Sequence, residues 1–569
     1  MLTLKKQAAE LVSAAILQQF SIELSAAEIA EMLEYPPDTA MGDLAMPCFR
    51  LSRTLRRAPA QIAEMLAGAI SSEAFSSVSA VNGYLNFKMN VGTFAARVVG
   101  SVLSEGATYG SPKNGEGKTV VLDYSSPNVA KPFHIGHLGT TVIGHSLKLL
   151  HEFAGYTCIG INHLGDWGTQ FGKLIVAYRK WGSREEVEAK EIDELVRLYV
   201  RFHAEAEEHP ELNDEARAEF TKLEAHDEEN LALWRWFIEI SMREYRKTYR
   251  MLGIEFDSYN GESFYTDKMP RQIEKMKEME LLTLDDGASV VNLEQWNMPP
   301  CLILKRDGST LYPTRDIAAA VYRKENYNFD KCIYVTSAGQ CLHFAQWFKV
   351  VELMGYDWHE GLVHVPYGTV SINGEKLATR TGNVILLKDL FAQAIEKVGT
   401  IMEEKNSGLA DKQTVAEQVG VGAVVFYYLS NNRMRDINFM LEDALSFDGN
   451  TGPYAQYTYA RCCSLLEKAG DAGHAVAPCE MTAEETELAR TLARFPEKIR
   501  EAIADYEPSI VTRYILDLCA AFNRFYHECR ILSEADEALR ENRLAFTRAT
   551  KTVLGTALRL ICMATPEKI

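Results

Sequence analysis

Between Thr119 and Tyr124 the run TVVLDY has the β-branched, buried character of a strand. The stretch LGTTVIGHSLKLLHEFAG that follows carries apolar residues at helical spacing and closes at Gly155. A second strand pattern, Thr157 to Asn162, comes next. Strand, tight loop, helix and strand make a βαβ unit, whose crossover is right-handed and whose ligand crevice lies beyond the carboxyl ends of the strands. From about 118 to 370 strands and helices alternate, as in a nucleotide-binding sheet, around a helical, charge-laced stretch at about 183–250 that reads as a solvated insertion. CLILKRDGSTLY predicts a hairpin turning at Asp307 and Gly308, and CIYVT and LVHVP predict strands returning to the sheet. After about 390 strand patterns nearly vanish and amphipathic helical patterns run to the end, predicting a bundle. Residues 1 to about 110 form a region of their own, helical at both ends of the loop EYPPDTAMGDLAMP, with a short strand-like NGYLNFKM. The Gly, Pro and Lys-rich TYGSPKNGEGK after it reads as a linker.

A chain of 569 residues has room for about three such domains, and 47% hydrophobic with 24% charged residues is ordinary for a globular protein. Eleven cysteines lie without a paired-spacing framework, mostly inside apolar segments such as those of Cys301, Cys332 and Cys519, which predicts reduced core residues and no structural metal. The opening MLTLKKQAAELVSAAILQQF is an amphipathic helix pattern without a signal-peptide cleavage region, and no apolar run approaches a membrane span, so a cytoplasmic address and no membrane partner are expected. A net charge of -18 argues against a generic nucleic-acid coat and against DNA as a partner. A local basic face remains available in Arg50, Arg53, Arg56 and Arg57, a run that reads equally as a solvated helix face.

Candidate chemistry concentrates in the loop SSPNVAKPFHIGH, Ser125 to His137, between the first strand and its helix. His134 and His137 fall in the crevice, Gly136 lets the backbone approach a flat ligand such as adenine, and the helix start offers free N–H groups to a phosphate. Taken alone, a histidine pair three apart is as well a structural pair or half of a metal site; the strand and helix flanks, and the lack of nearby Cys or carboxylate, favour phosphate. A second glycine-rich loop, NHLGDWGTQFG at Asn162 to Gly172, brings His163, Asp166 and Gln170 to the crevice edge as further pocket candidates, or caps the next helix.

PNVAKPFHIGH resembles the HIGH signature of class I aminoacyl-tRNA synthetases in the form found in arginyl-tRNA synthetases, and NHLGDWGTQFG resembles the same family. GDLA with LSRTLRRAPAQIAEML resembles that family's N-terminal additional domain, and SFDGNTGPYAQYTYARCCSLL the opening of its helical anticodon-binding domain. The resemblance therefore runs nearly from end to end. It implies an α/β multidomain chain: an N-terminal α/β additional domain at 1–110, a Rossmann-type catalytic domain at 111–389 with the insertion at about 183–250, and a junction with an all-α anticodon-binding bundle at 390–569.

The resemblance also assigns residues. Positions matching Asn128, Glu262, Tyr312, Asp316 and Gln340 form the arginine pocket, and all five residue types are as the family has them. The chemistry agrees, because a planar guanidinium that is always charged is best held by converging carboxylates. GEKLATRTGNVILL, Gly374 to Leu387, takes the place of the second class I signature, so Lys376 and Arg380 would neutralise ATP phosphates. The signature's usual second lysine is missing, and Lys131 stands where the family supplies the charge instead. His134, His137 and Gly136 would bind ATP, which enters as a substrate with Mg²⁺. Arg50, Arg53, Arg56 and Arg57 become contacts to the outer corner of tRNA, and Tyr454 and Tyr457 stacking surfaces for anticodon bases, unless they are core. Gly139 departs from the pattern: HLGTT stands where the family commonly has arginine, which weakens the helix start by up to about 1 kcal/mol and removes a cation. Leu377 and Ala378 replace the usual Met and Ser.

The implied reaction is ATP-dependent activation of L-arginine to arginyl-adenylate with release of pyrophosphate, then transfer to the 2′-hydroxyl of the terminal ribose of arginine tRNA, the activation requiring bound tRNA. The alternatives are a catalytically weakened synthetase-like paralogue acting as a tRNA-binding protein, to which Gly139, Leu377 and Ala378 point, and an adenylyltransferase of the same superfold with another substrate.

Overall fold

Four parallel strands form the central sheet of the computed structural model, in the spatial order Leu362–Tyr367, Lys331–Ser337, Thr119–Asp123, Thr157–Ile161. The structure describes residues 1–569 apart from 39–40, 132, 373, 377–385, 406–408, 410, 448 and 471, and apart from the side chains of 375, 376 and 405. Val120, Val121 and Leu122 are fully buried because their strand has a neighbour on each side and helices on both faces, which explains its lack of polar alternation. The crossover helix Leu138–Phe153 is buried along most of its length and lies under the C-terminal helices, where Ser146 Oγ donates to the Leu560 carbonyl at 2.7 Å. Strand order reverses beside Thr119–Asp123, so loops leaving its carboxyl end and those of its neighbours open onto one crevice.

The insertion between Thr157–Ile161 and Lys331–Ser337 is longer and more varied than its charge pattern suggests. Helices Arg184–Lys190, Ile192–Glu208, Glu211–Glu224 and Glu228–Leu252 are followed by a separate antiparallel sheet, Leu282–Asp285, Ala288–Val291 and Cys301–Leu304. The expected turn at Asp307 and Gly308 forms, with Lys305 N donating to the Ser309 carbonyl at 2.9 Å, but its second arm is a single bridge, Leu304 to Thr310. Cys301–Leu304 pairs instead with Ala288–Val291, because the chain enters a helix at Tyr312 with Pro313 in its first turn.

The N-terminal region holds a three-stranded antiparallel sheet in which Tyr84–Met89, the strand read from the sequence, lies between Leu44–Pro47 and Phe75–Val81. The four residues of Leu44–Pro47 are all buried, and such a run shows no alternation to read. Asp43 pairs with Arg490 at 2.6 Å, and Tyr109 stacks on Phe495 and donates to the Leu492 carbonyl at 3.2 Å, so the linker-like segment begins anchored to the helical region. That region includes Leu387–Lys405, Lys412–Leu429, Gly452–Ala469, Ala483–Ala504, Ser509–Glu528 and Glu537–Leu560. Among the described residues one short strand occurs after 390: Ile437–Phe439 runs parallel to Val370–Ile372, three residues being too few for a pattern. Among the described residues no helix is long and apolar enough to cross a membrane, and all eleven cysteines are free thiols.

Candidate active site

The loop after Thr119–Asp123 leaves the sheet through left-handed backbone at Ser125 (φ 70°), Ser126 (φ 45°) and Ala130 (φ 58°). Such conformations cost non-glycine residues about 1–3 kcal/mol each and persist only where neighbours impose them. Here the neighbours are numerous. Ser125 N donates to Thr140 Oγ1 at 3.0 Å, and Ser125 Oγ lies 2.8 Å from both Thr141 Oγ1 and the Tyr249 hydroxyl. Ser126 Oγ donates to Asp123 Oδ1 at 2.9 Å. Ala130 N donates to Ser241 Oγ at 3.0 Å, and the Tyr245 hydroxyl donates to the carbonyls of Asn128 and Lys131, each at 2.8 Å. Ser241, Tyr245 and Tyr249 belong to Glu228–Leu252, so the last helix of the charge-laced stretch is a wall of the site, which corrects its reading as merely solvated. The signal was present in the sequence: Phe237, Ser241, Tyr245 and Tyr249 recur every four residues on one face of an otherwise charged helix.

The second loop lies back to back with the first. Gly165 N donates to the Pro127 carbonyl and Val129 N to the Gly165 carbonyl, both at 3.1 Å. A Cβ on Gly165 would stand 2.2 Å from Asn128 Oδ1, so glycine is what lets the two backbones meet. Asp166 receives Ser263 N at 2.8 Å and Ser263 Oγ at 2.7 Å on its two oxygens, and Gln170 Nε2 donates to the Gly165 carbonyl at 3.2 Å. Both side chains thus hold loops in place. His163 N donates to Ser126 Oγ at 3.1 Å, and its ring lies beside Arg323, a buried guanidinium paired with Asp123 at 2.7 Å.

Glu262 follows at the next turn, its N–H donating to the Leu164 carbonyl at 2.9 Å and its carboxylate pairing with Arg315 at 2.8 Å. Burial pushes the Glu262 carboxyl up to about 7; Arg315 opposes that shift, while Asp166 and Asp316 add to it. Asp316, one helical turn after Tyr312 on Tyr312–Tyr327, lies 2.6 Å from His343 Nε2. Tyr312 is 66% exposed at the helix start, and Gln340 is exposed at the turn after Lys331–Ser337. Arg315 and His343, already in contact with the two acids, are residues that sequence reasoning did not single out.

His134 and His137 form a closed unit, their ring centroids 4.1 Å apart. Gly136 N donates to His134 Nδ1 at 3.0 Å and His134 N to His137 Nδ1 at 3.2 Å. With both Nδ1 atoms accepting, the neutral tautomers carry their protons on Nε2 and offer them as donors. Burial lowers His134 to about 4; His137 is lowered to about 3, chiefly by burial, with the neighbouring His134 and Lys131 adding to it. The pair therefore offers N–H groups, and Lys131 is the adjacent cation.

Leu387 N donates to the Phe133 carbonyl at 2.9 Å and Leu386 bridges His134, so the end of the second-signature segment lies beside the HIGH turn. The Lys376 backbone pairs with Ser371 in a short antiparallel strand. Its side chain lies outside the described structure, as do residues Leu377, Ala378 and Arg380. Gly139 has a steric reason: a Cβ there would stand 2.2 Å from the Tyr428 hydroxyl and 3.1 Å from Tyr367, and the helix begins at Leu138 regardless.

Away from the crevice, Arg50, Arg53, Arg56 and Arg57 are all exposed around the turns Cys48–Leu51 and Ser52–Leu55. Tyr454 and Tyr457 separate. The Tyr454 hydroxyl accepts from Asn523 at 2.8 Å, while Tyr457 is 43% exposed with the Arg461 guanidinium 5.0 Å from its ring centre and 4.8 Å from that of Tyr526.

Residues 98–441 match the family described as tRNA synthetases class I (R), catalytic domain; residues 6–89 match the arginyl tRNA synthetase N terminal domain and 455–569 the DALR anticodon binding domain. The chain is 51% identical over 550 residues to the arginine–tRNA ligase of Alkaliphilus metalliredigens, spanning 95% of this chain and 96% of that one. It is also 51% identical over 553 residues to that of Clostridioides difficile, spanning 96% and 97%. The chain belongs to the arginyl-tRNA synthetases. The Thermus thermophilus arginyl-tRNA synthetase structure shares the fold, with a TM-score of 0.81 at 24% identity over 99% of this chain and 100% of that one. The synthetase fold places the glycine-rich loop, Glu262 and Arg315, and the HIGH turn around one topological switch point of the sheet.

Proposed function

We infer that the chain ligates L-arginine to arginine tRNA. The carboxylate of arginine attacks the α-phosphorus of ATP, the bond to the β,γ-phosphates breaks and pyrophosphate leaves. The 2′-hydroxyl of the terminal tRNA ribose then attacks the carbonyl carbon of arginyl-adenylate, its proton departs to solvent and AMP leaves. No side chain becomes covalently attached, so the protein contributes position and electrostatics.

Glu262 and Asp316 are assigned to the substrate guanidinium, Asn128 to the amino acid from the adjoining loop, with Tyr312 as a ring face and Gln340 at the rim. The Nε2–H groups of His134 and His137, with Lys131, donate to phosphate oxygens beside Gly136. Lys376 and Arg380 would complete the neutralisation from the other side. These groups around the HIGH turn are N–H donors and a cation, a set that suits phosphate oxygens, and Mg²⁺ carried by ATP supplies further charge neutralisation. His163, Asp166 and Gln170 hold the loops that present this machinery. The observation that carries the reading is the pair of acids, Glu262 and Asp316, each already in contact with a cationic or ionisable nitrogen side chain.

Identity near one half with arginine–tRNA ligases over nearly the whole chain favours the enzyme over a paralogue that only binds tRNA. The deciding experiment measures arginine-dependent ATP–pyrophosphate exchange with and without tRNA, together with charging of arginine tRNA. Exchange that appears on adding tRNA, and charging, are expected; folded protein that charges no tRNA would overturn the reading.

A pH series separates the site's groups. Neither His134 nor His137 changes charge between about pH 6 and 9, given their depressed values of about 4 and about 3. Glu262, raised to about 7, does. Below that value its carboxyl becomes neutral and loses its attraction for a guanidinium. The KM for arginine is therefore expected to rise as pH falls through about 7 while the KM for ATP stays flat. An ATP KM that rises in parallel would contradict the assignment.

The three regions 1–110, 111–389 and 390–569 are proposed to contact tRNA at its outer corner, its acceptor end and its anticodon respectively. Arg50, Arg53, Arg56 and Arg57 supply the first contact, and Tyr457, with Arg461 over its face, is a better stacking platform than the hydrogen-bonded Tyr454. Base stacking on an aromatic contributes about 1–3 kcal/mol, so Tyr457→Ala is expected to raise the KM for tRNA by roughly tenfold and leave that for arginine unchanged. An unchanged tRNA KM would place Tyr457 outside the contact.

A further inference from the structure

The groups assigned to the substrate's side chain already hold a guanidinium. Arg315 lies one residue before Asp316 on Tyr312–Tyr327; its Nη1 is 2.8 Å from Glu262 Oε2, and its guanidinium carbon is 5.7 Å from the centre of the Tyr312 ring. Carboxylate on one side and aromatic face on the other is the arrangement a free arginine side chain would seek there. The ion pair is partly enclosed, with side-chain exposures of 13% and 17%. Yet it is incompletely satisfied, because Arg315 Nε is buried without a hydrogen-bond partner among the described residues. A buried carboxylate left alone takes up a proton, and Glu262 is already pushed up to about 7 with Arg315 beside it.

We propose that Arg315 is a built-in occupant of the arginine pocket, a specificity-determining residue that pairs with Glu262 in the free protein and gives way to the substrate's guanidinium. This rests on the assignment of Glu262 to that pocket. Above about pH 7 Arg315 pairs with the ionised acid while the pocket waits, and a newcomer must outcompete a guanidinium to enter. Neutral citrulline cannot, and lysine offers a single point charge in place of a planar fork. Whatever free energy Arg315 gains from Glu262 is subtracted from every ligand that displaces it, and by reciprocity substrate binding releases Arg315.

The test is the Kd of L-arginine by calorimetry for the full chain with arginine tRNA and without ATP, for the parent, R315M, E262Q and the double variant, from about pH 7 to 9. Glu262 faces Arg315 and Asp316 from one helix and Asp166 from the glycine-rich loop; Asp166 is engaged by Ser263 and Asp316 by His343. Removing Arg315 therefore raises the Glu262 carboxyl further. R315M is expected to bind arginine on the order of tenfold more tightly than the parent at the top of the range, and to lose that gain as pH falls. In the E262Q background the same substitution is expected to change little. R315M binding more weakly than the parent throughout would make Arg315 a contact or a scaffold and overturn the proposal alone. E262Q with unaltered arginine affinity would overturn the pocket assignment, and the proposal with it. R315Q, similarly short of charge but polar, carries the same expectation should R315M fail to fold.

Discussion

Asp316→Asn is expected to lower kcat/KM for arginine by roughly a hundredfold while leaving the KM for ATP within about twofold, an effect of about 2–3 kcal/mol. The size follows from what the amide removes. A guanidinium at this acid loses a charge-assisted bond, and truncating one partner of such a pair costs about 2–5 kcal/mol when the pair is fully enclosed. Asp316 is 27% exposed at its side chain, so the lower half of that range applies. Asparagine keeps a carbonyl oxygen for His343, which stands 2.6 Å from the carboxylate, so the helix Tyr312–Tyr327 is expected to keep its place and the loss to fall on arginine alone. Exchange kinetics with saturating tRNA, varying arginine and ATP in turn, read the two effects separately. Equal damage to both substrates would mean that Asp316 maintains the crevice and does not bind the substrate.

Gly139→Ala is expected to reduce adenylate formation at least about tenfold, a large effect for one methyl group. The methyl would enter 2.2 Å from the Tyr428 hydroxyl and 2.8 Å from the adjoining ring carbon, and Tyr428 is buried with little room to retreat. Overpacking of this kind costs about 1–3 kcal/mol, and the strain falls on the first turn of Leu138–Phe153, which fixes His137. Tyr428→Phe removes the nearest atom and leaves the ring, so the double variant is expected to recover part of the loss. A coupling of at least about 1 kcal/mol between the two positions is the signature. An arginine at this position is expected to be worse than alanine, since it is larger in the same space. An alanine variant as active as the parent would refute the steric account. Seen this way, Gly139 is complementary to a tyrosine nearly three hundred residues downstream.

Much of the site was legible because its parts are local. The period change at Thr119–Asp123 and Leu138–Phe153, the glycines of NHLGDWGTQFG and the spacing of Tyr312 and Asp316 all report backbone conformation within a few residues. What stayed hidden depended on contacts between distant segments. Asp166 and Gln170 look like pocket groups in a polar loop, yet their partners are Ser263 and a backbone carbonyl. The charge-rich insertion looks solvated because most of its faces are, while one stripe of Glu228–Leu252 braces the loop that carries Asn128 and Ala130.

Order along the chain therefore settled the element types, the βαβ corner, the chemistry required of an arginine site and the family that supplies it. These follow from hydrophobic period, turn residues and charge type, which act over one or two turns. Folding alone settled that Arg315 and not solvent faces Glu262, that both HIGH imidazoles are neutral Nε2–H donors, and that Gly139 fits Tyr428. The reason is physical: a side chain's charge state and partner depend on burial and on whatever atoms the fold brings within a few ångströms, and no spacing along the chain encodes that meeting.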